Sequence, residues 1–274
     1  MAEAAARCAV VTGSNKGIGL ETVRQLASKG VKVVLTARDE KKGLEAVQKL
    51  KDSGLSDLVI FHQLDVANPG SIASLADFIK TQFGRLDILE RPSTVPKKST
   101  QTYESVKECV ETNYYGAKRT TEALIPLLQL SDSPRIVNVS SSASKFVVDM
   151  PNELARGVFT DPKNLTEENV EDVLSEFLKD FKEGSLETKG WGHSSAYVLS
   201  KAALIAYTKI LAKRYPSFCI NCVCPGFVKT DINWNTGKVP VEEGAAHPVR
   251  LALLPKGGPS GLFFIQQEVS PFLS

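Results

Sequence analysis

The chain has 274 residues, 42% apolar and 23% charged, with 33 basic against 31 acidic side chains and a net charge of +2. That balance gives no electrostatic case for binding nucleic acid or a membrane surface, and no run of about 18 apolar residues offers a membrane span. Met1 to Arg7 enters an apolar run without a signal-peptide pattern, so the expectation is one cytoplasmic unit over residues 1–274.

The first predicted strand, Cys8 to Val11, leads through Thr12-Gly13-Ser14-Asn15-Lys16-Gly17-Ile18-Gly19 into a helix over about Ile18–Lys29. The strand Val31–Ala37 ends in Arg38-Asp39 and is followed by a helix over about Lys42–Lys51. Leu58–Leu64 closes on Asp65-Val66, and a helix is predicted over Ser71–Gln82. Leu86–Leu89 is a shorter strand; Glu90–Gln101 after it is polar and holds Pro92 and Pro96. A long helix is predicted over Tyr103–Leu130, with Asn113-Tyr114-Tyr115-Gly116 inside it. Ile136–Val139 runs into Ser140-Ser141-Ser142. After the segment Ala143–Trp191 come a helix over Ser195–Arg214, the strand Ile220–Val223, the turn Pro225-Gly226-Phe227-Val228-Lys229-Thr230 and the strand Leu262–Ile265. Near-continuous apolar strands alternating with helices predict an α/β fold with a parallel sheet covered on both faces.

The segment Ala143–Trp191 breaks this alternation. Thr166 caps a predicted helix whose first turn carries Glu167 and Glu168, while Val170, Val173, Leu174, Phe177, Leu178 and Phe181 mark one apolar face. This stripe reads as packing surface whose position also makes it a wall of a cleft. Cys219, Cys222 and Cys224 lack a neighbouring His or fourth Cys, so they read as small buried residues on a strand and no metal is expected.

Three groups carry chemistry. Glycines between a strand and a helix let a diphosphate approach backbone N–H groups at a positive helix end, although glycine also serves plain turns. Arg38 at the second strand end and Lys16 in the glycine loop suit a ribose 2′-phosphate rather than a free 2′-hydroxyl; alone, either is an ordinary surface cation, and Asp39 weakens the assignment. Tyr197 and Lys201 stand one helical turn apart. A phenol with a pKa of about 10 donates a proton more readily at neutral pH beside a lysine ammonium, which favours the phenolate.

Taken together, Thr12-Gly13-x-x-x-Gly17-x-Gly19, Asn113, the serine run, Tyr197-x-x-x-Lys201 and Pro225-Gly226-x-Val228-x-Thr230 fall in the order of the classical short-chain dehydrogenases/reductases, and the chain resembles that family over residues 7 to 230. The insertion and Thr112–Lys118 narrow the resemblance to the plant menthone, neomenthol and salutaridine reductases and the monomeric carbonyl reductases. The resemblance implies a Rossmann-like doubly wound parallel sheet with an inserted helical segment, at about 143–191, before the catalytic helix. It implies NADP(H), a small ketone or aldehyde as the partner substrate, and a monomer, because the inserted helix covers the faces through which simpler members oligomerise. By the family pattern Asn113, Ser141, Tyr197 and Lys201 are catalytic; which of Ser140, Ser141 and Ser142 takes the third role is open by one position. Gly13, Asn15, Lys16, Gly17, Ile18, Gly19, Arg38, Asp65, Val66, Lys201, Pro225, Gly226, Val228 and Thr230 would face the cofactor.

One stretch departs from the pattern. The family continues its fourth strand into Asn-Asn-Ala-Gly, whereas Leu89 is followed here by Glu90-Arg91-Pro92-Ser93. The strand is expected to be cut short, with Glu90 and Arg91 leaving the sheet or paired, because burying lone charges is costly. The competing expectation is therefore a variant that keeps the fold and has lost part or all of its activity.

Overall fold

The computed structural model describes residues 6–91, 102–192 and 195–273. Pro92–Gln101, most of the departing stretch, lies outside them. Among the described residues one eight-stranded sheet runs in the order β3-β2-β1-β4-β5-β6-β7-β8. Its strands are β1 (Cys8–Val11), β2 (Lys32–Ala37), β3 (Val59–Gln63), β4 (Ile88–Arg91), β5 (Arg135–Val139), β6 (Cys219–Cys224), β7 (Phe263–Ile265) and β8 (Glu268–Val269). Every pairing from β3 to β7 is parallel, and β8 folds back antiparallel on β7. The strand order reverses between β1 and β4, which opens the crevice in which doubly wound sheets take their ligands.

Alternation along the strands feeds two cores. Ala9, Val11 and Ile88 face α1 (Gly17–Ala27), α2 (Glu40–Leu50) and α9 (Val241–Ala252). Cys8, Val10 and Leu89 face the opposite layer of α3 (Pro69–Phe83), α4 (Tyr103–Val110), α5 (Gly116–Leu128) and α8 (Ser195–Arg214). Helix α9 escaped the sequence reading. Gly244, Ala245, His247 and Pro248 are buried on it, so its inner face is small and broken by polar and imino residues instead of forming a visible apolar stripe.

The predicted helix over 103–130 is two helices. A π turn over Glu111–Tyr115 separates α4 from α5. Such a turn takes one extra residue and rotates the downstream residues around the helix axis, and it is often found at functional sites.

The insertion folds as a 3-10 segment over Ser142–Asp149, α6 (Glu153–Thr160) and α7 (Glu167–Glu183). The Thr166 hydroxyl accepts the Asn169 N–H as an N-cap at 3.1 Å. Val170, Val173, Leu174 and Phe177 are fully buried, each contributing about 1.5–3 kcal/mol relative to exposure. Helix α7 packs on α4 and α8. Lys118 bridges to Glu167 at 3.0 Å and to Glu171 at 2.6 Å, Arg214 reaches Glu167 at 2.5 Å, and the buried Trp191 indole N–H donates to Asp180 at 2.7 Å.

Candidate active site

The carboxyl ends of the central strands collect the sequence-predicted residues. Thr12–Gly19 follows β1, Arg38 follows β2, Asp65 and Val66 follow β3, Ser140–Ser142 follow β5 and Pro225–Thr230 follow β6.

Gly13 and Gly17 adopt positive φ of 57° and 58°, a region closed to most side chains. A Cβ on Gly13 would meet nothing within 4 Å, so its side faces open space, whereas one on Gly17 would stand 3.5 Å from the Thr230 methyl. Ser14 pins the loop with a hydroxyl bond to the Val11 carbonyl (2.7 Å) and an N–H bond to the Thr36 carbonyl (2.8 Å). Asn15 and Ile18 are half-buried and Gly19 is buried within α1. Lys16 makes no side-chain cap on α1 and no acid lies in its first turn; α5 and α9 likewise start without a side-chain cap, whereas α2, α3, α4, α6 and α7 are capped by Asp39, Asn68, Thr102, Asn152 and Thr166. Backbone N–H groups left without a side-chain cap at a helix start are what a diphosphate requires.

Lys16 and Arg38 are exposed, and each holds a surface carboxylate at 3.3 Å, Asp231 and Glu108 respectively. Exposed pairs of this kind are weak and readily exchanged for an incoming anion. Asp39, the residue that weakened the dinucleotide assignment, accepts the Lys42 N–H as the cap of α2 and also pairs with the Lys42 ammonium at 3.2 Å. These bonds, the backbone one foremost, hold its carboxyl below the usual range. Asp65 accepts the Ala67 N–H at 2.9 Å, and the Val66 carbonyl accepts from Arg119 at 3.3 Å. Pro225 and Val228 are buried, Gly226 has φ 88°, and Thr230 caps the turn Asp231–Asn233.

On α8, Tyr197 is half-buried and Lys201 fully buried, its Nζ 5.8 Å from the Tyr197 ring centre. The ammonium donates to the Val139 carbonyl at 3.1 Å. Burial, more than any neighbouring charge, pulls its pKa down to about 8. Asn113 lies in the middle of the π turn and donates its amide to Ser200 on α8 at 3.1 Å. Of the three serines, Ser140 is buried with its hydroxyl donating to the Lys201 carbonyl at 3.0 Å, and Ser142 is exposed. Ser141, half-buried at the end of β5, accepts the Ala143 N–H at 3.2 Å.

Sequence reasoning missed several residues at this edge. Phe146, Phe227 and Trp234 are exposed, Trp234 at 75%, in segments that follow β5 and β6. The available signal was large aromatics in loops downstream of strands, where solvent ordinarily selects polar residues. A separate hollow of about 550 Å³ lies between Gln129, Pro134, Arg214, Phe218 and Lys256, at the amino ends of β5 and β6 and so away from Tyr197.

The expectation for the fourth strand holds for its four-residue length and for the pairing of Arg91, and fails for Glu90. Glu90 and Arg91 do not leave the sheet. Both sit in β4 and are buried, in register with Val11 of β1 and with Val137 and Asn138 of β5. The Arg91 guanidinium is paired with the Asn138 and Thr121 side chains and the Ala117 carbonyl. Glu90 shares the face of Ile88, and among the described residues neither of its carboxyl oxygens has a hydrogen-bond partner. Burial raises its pKa well above the usual carboxyl value, with the neighbouring Arg91 opposing the shift. Backbone pairing on both sides, including Thr12 N–H to the Glu90 carbonyl at 3.0 Å, keeps the strand in place despite its side chains.

The short chain dehydrogenase family profile matches residues 7–151 and 184–239, leaving out the stretch that folds as α6 and α7. The chain is 53% identical to a (+)-neomenthol dehydrogenase from Arabidopsis thaliana over 297 aligned positions, covering 99% of this chain and 100% of that protein. It is 37% identical to rat (Rattus norvegicus) carbonyl reductase (NADPH) 1, covering 96% and 98%. The solved structure of salutaridine reductase from Papaver somniferum superposes with a TM-score of 0.89 at 49% identity, covering 94% of this chain and 99% of that one. With its sheet order, glycine loop and Tyr197–Lys201 helix, the chain belongs to the short-chain dehydrogenase/reductase family of oxidoreductases, which use a nicotinamide cofactor.

Proposed function

We propose that the chain is an NADPH-dependent reductase that converts a ketone or aldehyde of a small apolar molecule, terpenoid- or alkaloid-like, reversibly to the alcohol. The observation that carries this reading is the Tyr197–Lys201 pair standing at the same sheet edge as the uncapped start of α1. Bound NADPH supplies the hydride. Residues 13–19 would hold its diphosphate, Lys16 and Arg38 its 2′-phosphate, and Asp65 and Val66 its adenine side. Lys201 would reach its ribose, and Pro225, Gly226, Val228 and Thr230 would flank its nicotinamide end.

The remaining roles belong to side chains. Ser141 donates a hydrogen bond to the substrate oxygen, and Tyr197 gives that oxygen its proton. Lys201 favours the phenolate left behind, since a cation stabilises the charged form of a neighbouring acid. Asn113 secures the π turn against α8. Phe146, Phe227 and Trp234 supply the apolar rim that a terpenoid or alkaloid body needs. The names of the neomenthol, salutaridine and NADPH carbonyl relatives support the same substrate class and cofactor. Helix α7 lies over α4 and α8, which supports a monomer, and we place it, as a single domain, in the cytoplasm.

A second reading is favoured by one specific observation. The partnerless carboxyl of Glu90 sits at the carboxyl end of β4 beside the glycine loop, so nucleotide affinity and stability are reduced while the Tyr197–Lys201 pair stays whole. The deciding experiment measures NADPH binding by calorimetry and NADPH oxidation with a panel of cyclic terpenoid and alkaloid ketones. Tight NADPH binding with turnover supports the reductase and removes the impaired variant, whereas weak or absent NADPH binding with slow or no turnover supports the impaired variant and removes the intact reductase.

A further inference from the structure

Ser200, the residue before Lys201, has no part in the roles above. It is fully buried, and its hydroxyl is committed on two sides. It accepts the Asn113 side-chain N–H at 3.1 Å and donates to the Tyr197 carbonyl at 3.0 Å. Cys109 Sγ of α4 lies 3.7 Å from this hydroxyl and 3.4 Å from the Asn113 amide nitrogen, closing a triangle between three elements.

The bond to Tyr197 falls on a sensitive atom. In an α-helix the carbonyl of Tyr197 is the acceptor for the N–H of Lys201, four residues on. A serine hydroxyl that bonds back to such a carbonyl tilts it and bends the helix locally. The group that joins the phenol-bearing and ammonium-bearing residues is thus held from the side by Ser200. The hydroxyl is held in turn by Asn113, which the π turn over 111–115 presents to α8. Without its extra residue, the segment after the turn would be rotated by about 100°, one residue's share of a 3.6-residue turn.

We propose that Ser200 is a positioning residue: its hydroxyl clamps the π turn to the first turns of α8 and so sets the geometry between Tyr197 and Lys201. It touches neither substrate nor cofactor. The catalytic consequence rests on the reductase reading, and one arm of the test does not.

The test uses the full chain with Ser200→Ala, Ser200→Thr, Asn113→Ala and the Ser200→Ala/Asn113→Ala double variant. In turnover, Ser200→Ala lowers kcat about tenfold while KM for NADPH stays within about twofold, and Ser200→Thr, which keeps the hydroxyl, stays within about threefold of the parent. In the Asn113→Ala background the serine change costs no more than about twofold further, because the two groups act as one unit. A threonine variant as slow as the alanine variant, or losses that multiply, overturns the clamp. In amide hydrogen exchange without substrate or cofactor, Ser200→Ala speeds residues 111–115 and 196–201 together by about tenfold, and Ser200→Thr leaves them unchanged. Should Ser200→Ala fail to fold, Asn113→Ala releases the same hydroxyl from the other side and must speed residues 196–201. Unchanged exchange in these variants refutes the clamp. A parent chain that oxidises no NADPH with any ketone sinks the reductase reading, and the exchange arm then decides the clamp by itself.

Discussion

The carboxyl edge of the sheet has two halves, and they treat buried polar groups differently. Around α8, Lys201 bonds the Val139 carbonyl, Ser140 the Lys201 carbonyl, and Ser200 both Asn113 and Tyr197. On β4, among the described residues, a carboxyl is buried with no hydrogen-bond partner, and next to it a guanidinium bonds neutral acceptors of α5 and β5. Paired groups rigidify a site, whereas a buried orphan costs the desolvation it cannot recover, on the order of 1–3 kcal/mol. The lesson is that, on the proposed roles, the half that carries Tyr197 and Lys201 and the half that carries β4 can be perturbed independently.

The largest expected effect tests whether the α8 half is the chemical one. Tyr197→Phe should reduce NADPH-dependent turnover by about a hundred- to ten-thousandfold, the range general acids provide, with cofactor affinity nearly unchanged. Lys201→Ala should damage both. The same half sets a pH limit: Lys201 loses its proton above about pH 8, so kcat/KM should decline as pH rises past that point. A Tyr197→Phe chain with near-parental rates, or a kcat/KM flat to pH 10 or so, would remove the assigned roles.

The nucleotide half comes next. Arg38→Asp should weaken NADPH binding by about ten- to a hundredfold, the worth of a charge-assisted contact, and NADH binding far less. Equal losses in calorimetric titrations would show that the ribose phosphate is read elsewhere.

Glu90 then sharpens the contrast through stability. Its folded pKa is raised, so the folded chain holds a proton that the unfolded chain releases from about pH 4.3. The stability is complete below that value and falls as pH rises toward the folded pKa. Glu90→Val should flatten this decline and raise the unfolding midpoint at neutral pH by roughly 5 °C. Inserting Val-Asn-Asn-Ala-Gly and a longer connector after Leu89 should raise both the midpoint and NADPH affinity. If the parent already binds NADPH at low micromolar strength and gains nothing, β4 is not the weak half.

The smallest expected effect lies in the insertion, outside both halves. Thr166→Ala removes the cap of α7 and should cost about 1 kcal/mol in denaturant unfolding without altering kcat. A change in kcat would mean that α7 shapes the crevice and does not merely cover it.

Much of this was legible because it is local. A strand buried on both faces is written as an apolar run, a helix start as a capping residue such as Thr166, and a phenol–ammonium pair as a spacing of four, whatever the rest of the chain does. Hence the strands β1 to β7, the glycine loop, α7 and the Tyr197–Lys201 pair were readable from the residues in order. What the tertiary structure decided depends on partners far away in sequence. The π turn at Asn113 is held by Ser200, 87 residues on, and no local pattern announces it. Ser140 and Ser141 look alike until the Lys201 carbonyl claims the first of them. Helix α9 hides its pattern because the face packed against α1 and the sheet mixes Gly244, Ala245, His247 and Pro248 with only two larger apolar residues, Val249 and Leu251. Glu90 stays in the sheet because backbone bonding to β1 and β5 outweighs the penalty of its side chain, a balance between non-local terms that no reading of neighbouring residues could strike.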